Sequence, residues 1–229
     1  MALYCTAIVA AAGRGRRMRC RIPKPFLKIS GVPVIFHTLA LLSKIPEIKD
    51  IILVLNPRDV QSFRARFIRE VSSFKIAAIV AGGKERPDSI ENALKALPEK
   101  CNVVCIHDAV RPNADAELIR KAINLAYRRG SAILAARIKD TIKKVTPLGE
   151  IASTINRKGL YLAQTPQVFR KDIILRAYNN RNKTNRLPTD DAELVEALGE
   201  KVFVIESNYD NIKITTPEDI VILNRMIKR

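Results

Sequence analysis

Residues 4–24 read YCTAIVAAAGRGRRMRCRIPK, and the first half of that string decides the fold. Residues 4–10 form an apolar run of the kind that is buried on both faces of a parallel sheet. The run empties into a turn containing Gly13 and Gly15, loaded with Arg14, Arg16, Arg17, Arg19, Arg21 and Lys24. The first acidic residue of the chain is Glu47. Glycine lets backbone N–H groups approach a ligand closely, and successive N–H groups in such a turn bind anions. The arginines and Lys24 add mobile positive charge that the backbone alone cannot supply. A polyphosphate site is therefore expected within the first 24 residues.

Beyond this turn, apolar β-branched runs alternate with helical stretches, the pattern of a parallel sheet covered by helices. Strands are expected at 4–10, 51–55, 76–80, 103–107, 132–136 and 202–206, and helices at 33–43, 59–72, 89–97, 115–129, 171–179, 190–198 and 217–226. The last helix has a clear start, with Thr216 as N-cap, Pro217 at its first position and Glu218 and Asp219 in its first turn. Thr189 likewise precedes Asp190 and Asp191, and Gly199 follows that helix. Segments 140–145 and 151–157, joined by Pro147-Leu148-Gly149-Glu150, interrupt the alternation and read as a β-hairpin. The chain thus reads as a single α/β domain, 1–229, with mostly parallel sheet and a protruding β-arm over 137–159, of the kind that reaches another subunit.

With 229 residues and 47% hydrophobic content, the chain is long enough and apolar enough to fold around a sizeable core. No apolar run approaches the roughly 20 residues that span a bilayer. The N-terminal segment has no charged leader and no small-residue cleavage pattern, so no signal peptide and a cytoplasmic location are expected. Cys5, Cys20, Cys101 and Cys105 form no CxxC pair and have no histidine at zinc-finger spacing, which suits free thiols in a reducing compartment. With only His37 and His107, histidine-based triads have few candidates. The net charge of +17 raises nucleic acid as a partner, but aromatics make up only 5% and the basic residues are spread along the chain. Small anionic substrates explain the local cluster as well, so no nucleic acid is expected.

The opening turn is not a Walker A loop, because no Gly-Lys-Ser/Thr follows at the required spacing. It resembles G-x-G-x-x-G, but Met18 takes the third glycine position and Asn56-Pro57 stands where an acidic residue would close the second strand. Gly82-Gly83-Lys84-Glu85-Arg86-Pro87-Asp88-Ser89 follows the third strand and opens a helix. Its glycines permit close approach, while Asp88 and Ser89 could equally be helix caps. His107-Asp108-Ala109-Val110-Arg111-Pro112 follows the fourth strand at the sheet edge where open α/β sheets bind ligands. There Asp108 could hold a ribose hydroxyl or a magnesium water, or simply pair with Arg111.

Taken in order, AAAGRGRRM and PK, GGKERPDS, HDAVRP, KDTIK, NRKGLYLAQTPQVF, TDDA and DNIKITTPEDI cover nearly the whole chain. This ordered set resembles the 2-C-methyl-D-erythritol 4-phosphate cytidylyltransferases. The resemblance implies a Rossmann-like nucleotidyltransferase domain and a homodimer built through the β-arm. It also implies conversion of CTP and a sugar-alcohol phosphate, 2-C-methyl-D-erythritol 4-phosphate, to 4-diphosphocytidyl-2-C-methyl-D-erythritol and pyrophosphate in isoprenoid-precursor synthesis. Mg2+ would be bound mainly through the CTP phosphates, with no metal-ligating residue assigned in the chain.

By the same resemblance Arg17 and Lys24 would embrace the triphosphate, and Lys213 would position the attacking phosphate. Arg157, on the arm, would reach the neighbouring subunit's substrate. Ala11, Ala12, Gly13, Gly83 and Ser89 would hold cytidine, Asp108 and Ala109 would face its ribose, and Arg111, Thr141 and Thr165 would line the sugar-phosphate pocket. Pro25 stands where the family usually has glutamine, and Lys84 where an acidic residue is common. A ribitol 5-phosphate cytidylyltransferase is the nearest rival. Ala11-Ala12-Gly13 and Asp88-Ser89 favour the erythritol enzyme over it. A basic nucleic-acid-binding protein retaining an inactive nucleotidyltransferase fold is a more distant alternative.

Overall fold

The first strand, β1 (Cys5–Ala11), lies inside a seven-stranded sheet, where its alternating side chains serve two cores. Cys5, Ala7, Val9 and Ala11 face one, Ile8 the other. The computed structural model describes residues 2–13, 22–181 and 187–227. After β1 come a 3-10 turn (Lys24–Phe26), the small antiparallel pair β2 (Lys28–Ile29) and β3 (Val32–Pro33), and α1 (Val34–Ser43). The chain continues through β4 (Ile48–Leu55), α2 (Val60–Arg66), α3 (Ile68–Ser72), β5 (Ile76–Ala81), α4 (Arg86–Leu94), β6 (Val103–Asp108) and α5 (Ala116–Arg129). It ends with β7 (Ser131–Arg137), β8 (Ile142–Val145), β9 (Ile151–Ile155), β10 (Tyr161–Arg170), α6 (Lys171–Asn180), α7 (Asp191–Glu196), β11 (Phe203–Ser207) and α8 (Pro217–Ile227).

The strand order is β11-β7-β10-β6-β1-β4-β5, parallel except for β10, which runs antiparallel to both β6 and β7. The chain moves from β1 to β4 and β5 on one side, then returns to β6 on the other. That reversal opens a crevice at the carboxyl ends of β1 and β6, the place where open α/β sheets hold ligands. Leu39, Phe63, Ile119 and Ile123 cover one face, and Ile90, Ile174 and Leu194 cover the other. Ile29, Val34, Ile214 and Leu223 form a third, smaller core under α8. Among the described residues no helix is long and apolar enough to cross a membrane.

Four differences from the sequence expectations have physical causes. The expected helix over 59–72 is two helices, broken at Phe67 (φ −123°, ψ 26°), whose ring packs against Phe36 and Phe63 at centroid distances of 5.1 and 5.2 Å. The helix expected at 89–97 begins earlier, at Arg86, because the Asp88 carboxylate accepts the Glu85 N–H at 2.9 Å. The expected list of strands lacks β10. Its Gln164, Thr165 and Gln167 are buried polar residues, so the strand carries no apolar periodicity. Asp190, rather than Thr189, caps α7, accepting from the Glu193 N–H at 2.9 Å.

β8 and β9 pair with each other and with no strand of the main sheet. The Gly149 N–H donates to the Thr146 carbonyl at 3.0 Å and Gly149 has φ +86°, so the turn needs glycine there. Ile138 N–H and the Leu160 carbonyl, 3.2 Å apart, close the root of this excursion. Val145, Leu148 and Ile151 are exposed on it.

Phe63 is fully buried, and its ring meets Phe26, Phe36 and Phe67. Phe63→Ala is expected to lower stability by about 3–5 kcal/mol in urea unfolding, through lost transfer energy plus an unfilled cavity. A loss below about 1 kcal/mol would contradict this packing.

Candidate functional site

A cleft of about 920 Å³ opens at the carboxyl ends of β1, β4, β5 and β6. Its lining comes from the loops that leave those strands: Ala11, Ala12 and Gly13; Asn56 and Arg58; residues 82–86 with Ser89; and Asp108. Lys24, Lys213 and Thr215 close the remaining side. Among the described residues its charged lining is Lys24, Arg58, Lys84, Arg86 and Lys213 against Glu85 and Asp108, a positive balance suited to a polyanion.

The wall at 82–89 is built for close approach. Gly82 N–H donates to the Leu55 carbonyl at 2.7 Å, and a Cβ on Gly82 would lie 2.4 Å from the Ala12 Cβ. A Cβ on Gly83 would lie 2.3 Å from the Asp88 Cβ. The Ser89 hydroxyl accepts from Gly83 N–H and donates to the Glu85 carbonyl, both at 3.0 Å. Both readings of this motif are thus met: Asp88 caps the helix, and the glycines bring backbone to the cleft.

Asp108 is the electrostatic centre. Its carboxylate lies 2.7 Å from Lys213 Nζ, 3.7 Å from Arg111 Nε and 3.9 Å from Arg86 Nε. Burial works to raise its pKa, but Lys213, Arg86 and Arg111 together hold it below the ordinary carboxylate value. The Asp108–Arg111 pair left open by the sequence is therefore one part of a larger cluster. Arg111 Nη1 donates to the Asn211 carbonyl at 2.6 Å, and Asn211 Nδ2 donates to the Thr165 carbonyl at 2.9 Å. Ile214 N–H donates to the Val110 carbonyl at 3.0 Å. These bonds stitch the 211–214 segment onto the end of β6 and so set Lys213 over Asp108.

Lys24 reaches the same place from the other end of the chain. Pro25 suits the 3-10 turn because φ is already fixed there, and Phe26 anchors the turn against Phe63 at 6.0 Å. Lys24 is buried, and its Nζ donates to the carbonyls of Ile214 and Thr215 at 3.2 and 3.0 Å. Two lysines far apart in sequence thus meet at one edge of the cleft.

Ala109 and Thr165 are buried behind Asp108: Ala109 N–H donates to the Ala10 carbonyl at 3.1 Å, and the Thr165 hydroxyl accepts the Asp108 N–H at 3.0 Å. Thr141 and Arg157 are exposed residues beside β8 and β9, and the chain does not bring them to this cleft by itself. Arg17, with Arg14, Arg16, Arg19, Cys20 and Arg21, lies outside the described residues. Arg86, to which the family resemblance assigns no role, lines the cleft and pairs with Asp191 at 2.7 Å. Burial opposes its charge, and Asp191 more than offsets that, keeping it firmly protonated. Among the described residues no three His, Cys, Asp or Glu side chains converge as a metal cage.

The family model described as IspD, 2-C-methyl-D-erythritol 4-phosphate cytidylyltransferase, matches residues 5–229. A 2-C-methyl-D-erythritol 4-phosphate cytidylyltransferase of Alkaliphilus metalliredigens is 43% identical over 217 residues, covering 95% of this chain and 90% of that protein. One from Syntrophus aciditrophicus is 43% identical over 223 residues, covering 97% and 95%. The crystal structure of 4-diphosphocytidyl-2C-methyl-D-erythritol synthase from Anaerococcus prevotii superposes with a TM-score of 0.85 at 34% identity, covering 99% of this chain and 96% of that one.

His107, fully buried next to Asp108, has its Nε2 3.1 Å from the Arg111 carbonyl. A carbonyl can only accept, so Nε2 carries the proton. Burial pushes its pKa down from 6.5 to about 4. Between those values the unfolded chain binds a proton that the folded chain does not. Stability is therefore full above pH 6.5 and falls as pH drops toward 4, by up to about 3 kcal/mol at about 1.4 kcal/mol per unit. Urea unfolding at about pH 7 and about pH 4.5 is expected to show a larger loss for the native chain than for His107→Gln. Equal losses would rule out this source of acid sensitivity.

Proposed function

The chain belongs to the 2-C-methyl-D-erythritol 4-phosphate cytidylyltransferase family, and we propose how its residues carry that reaction. It is a nucleotidyltransferase of isoprenoid biosynthesis, joining CTP and 2-C-methyl-D-erythritol 4-phosphate and releasing pyrophosphate. A sugar-phosphate oxygen attacks the α-phosphorus of CTP, and the bond from that phosphorus to the bridging oxygen of pyrophosphate breaks. The attacking monoester has a second pKa of about 6 and is already dianionic at neutral pH, so no general base is required. The barrier is the approach of one anion to another, which preorganised cations lower.

The observation that carries this reading is the convergence of Lys24 and Lys213 at one edge of the cleft, with Lys213 paired to Asp108 and Lys24 held by the carbonyls of Ile214 and Thr215. Lys24, with Arg17, would hold the triphosphate, and Lys213 the attacking phosphate. Ala11, Ala12, Gly13, Gly83 and Ser89 would hold cytidine, supported by the absence of room for a Cβ at Gly82 and Gly83. Asp108 and Ala109 would face the ribose. Arg111, Thr141 and Thr165 would serve the sugar-phosphate side.

Magnesium would arrive on the CTP phosphates and neutralise part of their charge. The cationic lining of the cleft suits the phosphate oxygens that would carry the metal. We further propose a homodimer through the arm at 137–159, with Arg157 reaching the neighbouring subunit's substrate. Exposed Val145, Leu148 and Ile151 on a two-stranded hairpin support it, since such a hairpin gains stability by covering its apolar face. A cytoplasmic location is supported by the free, buried thiols of Cys5, Cys101 and Cys105.

A pyrophosphate-release assay crossing CTP and other nucleotides with the erythritol and ribitol phosphates is expected to respond to CTP with the erythritol substrate. Faster turnover of ribitol 5-phosphate would overturn the substrate assignment. Lys24→Ala is expected to lower kcat on the order of a hundred- to a thousandfold with folding intact. Mixing Lys24→Ala with Arg157→Ala subunits is expected to restore part of the activity, because one composite site is rebuilt. No recovery in confirmed heterodimers would count against a shared site.

A further inference from the structure

Behind the base-side wall of the cleft lies a charged layer that the reaction scheme above does not use. Arg86, the first residue of α4, ends between carboxylates from two other elements: Asp191 Oδ2 at 2.7 Å and Asp108 Oδ1 at 3.9 Å. Its side chain keeps 31% exposure, toward the cleft it lines, whereas that of Asp191 is completely buried. Asp191 opens α7, and its place is fixed from several directions. Its second oxygen accepts the Tyr178 hydroxyl of α6 at 2.6 Å. Its own N–H and that of Ala192 donate to Gln167 Oε1 of β10 at 3.1 and 3.0 Å.

Asp191 has no capping task, because Asp190 caps α7. A fully buried carboxylate that caps nothing is a cost to the fold, offset here by one hydroxyl and one guanidinium. Of those two partners, only the guanidinium faces the cleft. An arginine head is planar and directional, so a second anchored carboxylate defines its orientation as a single one could not.

We propose that Asp191 is a positioning residue for cytidylyl transfer, acting through Arg86 on the nucleoside side of the cleft. Held by Asp191, which the Tyr178 hydroxyl fixes in turn, the Arg86 guanidinium stands beside Asp108, and Asp108 keeps its other oxygen for Lys213. Without the Asp191 charge, Asp108 becomes the nearest carboxylate to Arg86. The guanidinium then swings onto Asp108, competes with Lys213 and crowds the ribose position. This inference rests on CTP occupying the cleft as proposed above.

The test is a kinetic cycle in the full-length enzyme with Asp191→Asn, Arg86→Ala and the double variant, with thermal unfolding followed separately. Asn keeps the size of Asp191 and an acceptor for Tyr178. Asp191→Asn is expected to raise KM for CTP about tenfold with a smaller change in kcat, the scale of one lost charged hydrogen bond. In the Arg86→Ala background it is expected to change kcat/KM less than about twofold, because its effect passes through the missing guanidinium. Equal effects in both backgrounds, or an unchanged KM in Asp191→Asn, would overturn the proposal. If Asp191→Asn fails to fold, Tyr178→Phe is expected to raise KM for CTP about two- to fivefold, and an unchanged KM would overturn it instead. Ser89→Ala separates the two levels. If it raises KM for CTP while the Asp191 and Tyr178 variants do not, only the positioning role fails; if none of them does, the placement of CTP fails as well.

Discussion

A buried carboxylate at the end of a central strand cannot remain ionised without cations close by, and Asp108 at the end of β6 draws three of them. Arg111 comes from the turn directly after β6, Arg86 from the start of α4 and Lys213 from the segment before α8. Asp108 and Arg111 are buried, whereas Lys213 and Arg86 reach the cleft and keep partial exposure, so the cluster ties the interior to the site. The cluster therefore fixes the relative placement of three chain segments as well as the charge of the cleft. Lys24 joins it indirectly, because the carbonyls that hold its ammonium belong to the two residues after Lys213.

The sheet explains why this cluster can form where it does. Four parallel strands end side by side, so the loops after β1, β4, β5 and β6 face one crevice without long excursions. The antiparallel β10 then fills the sheet next to β6 and directs its polar side chains to the loops beyond it. Gln164 Oε1 and the Thr165 backbone carbonyl accept from Asn211 Nδ2, and Gln167 Oε1 accepts from the start of α7. The rear of the cleft is thus a hydrogen-bonded layer, which holds charged side chains in place more tightly than a mobile surface would. Its cationic front matches a reaction in which two phosphates must be brought together.

Much of this was legible in the sequence, and the limits have identifiable causes. β1 is readable because a strand buried on both faces is a continuous apolar run. The segment 82–89 and the sequence around Asp108 were recognisable because their glycines and charges sit directly after such strands. β10 was not, because its inward residues include Gln164, Thr165 and Gln167, whose burial is compensated by loops that periodicity does not register. The break at Phe67 depends on ring packing with Phe36 and Phe63, which no local propensity reports. Arg86 and Asp191 were each visible within a motif, but 105 residues separate them, and only the fold makes them a pair.

Asp108 is the carboxylate that gathers the cations of the cleft. Asp108→Asn preserves shape and removes the charge, so pyrophosphate release from CTP and 2-C-methyl-D-erythritol 4-phosphate is measured on a variant whose fold is verified by circular dichroism. A fall in kcat/KM on the order of a hundredfold or more is expected. Turnover within about twofold of the native chain would contradict it.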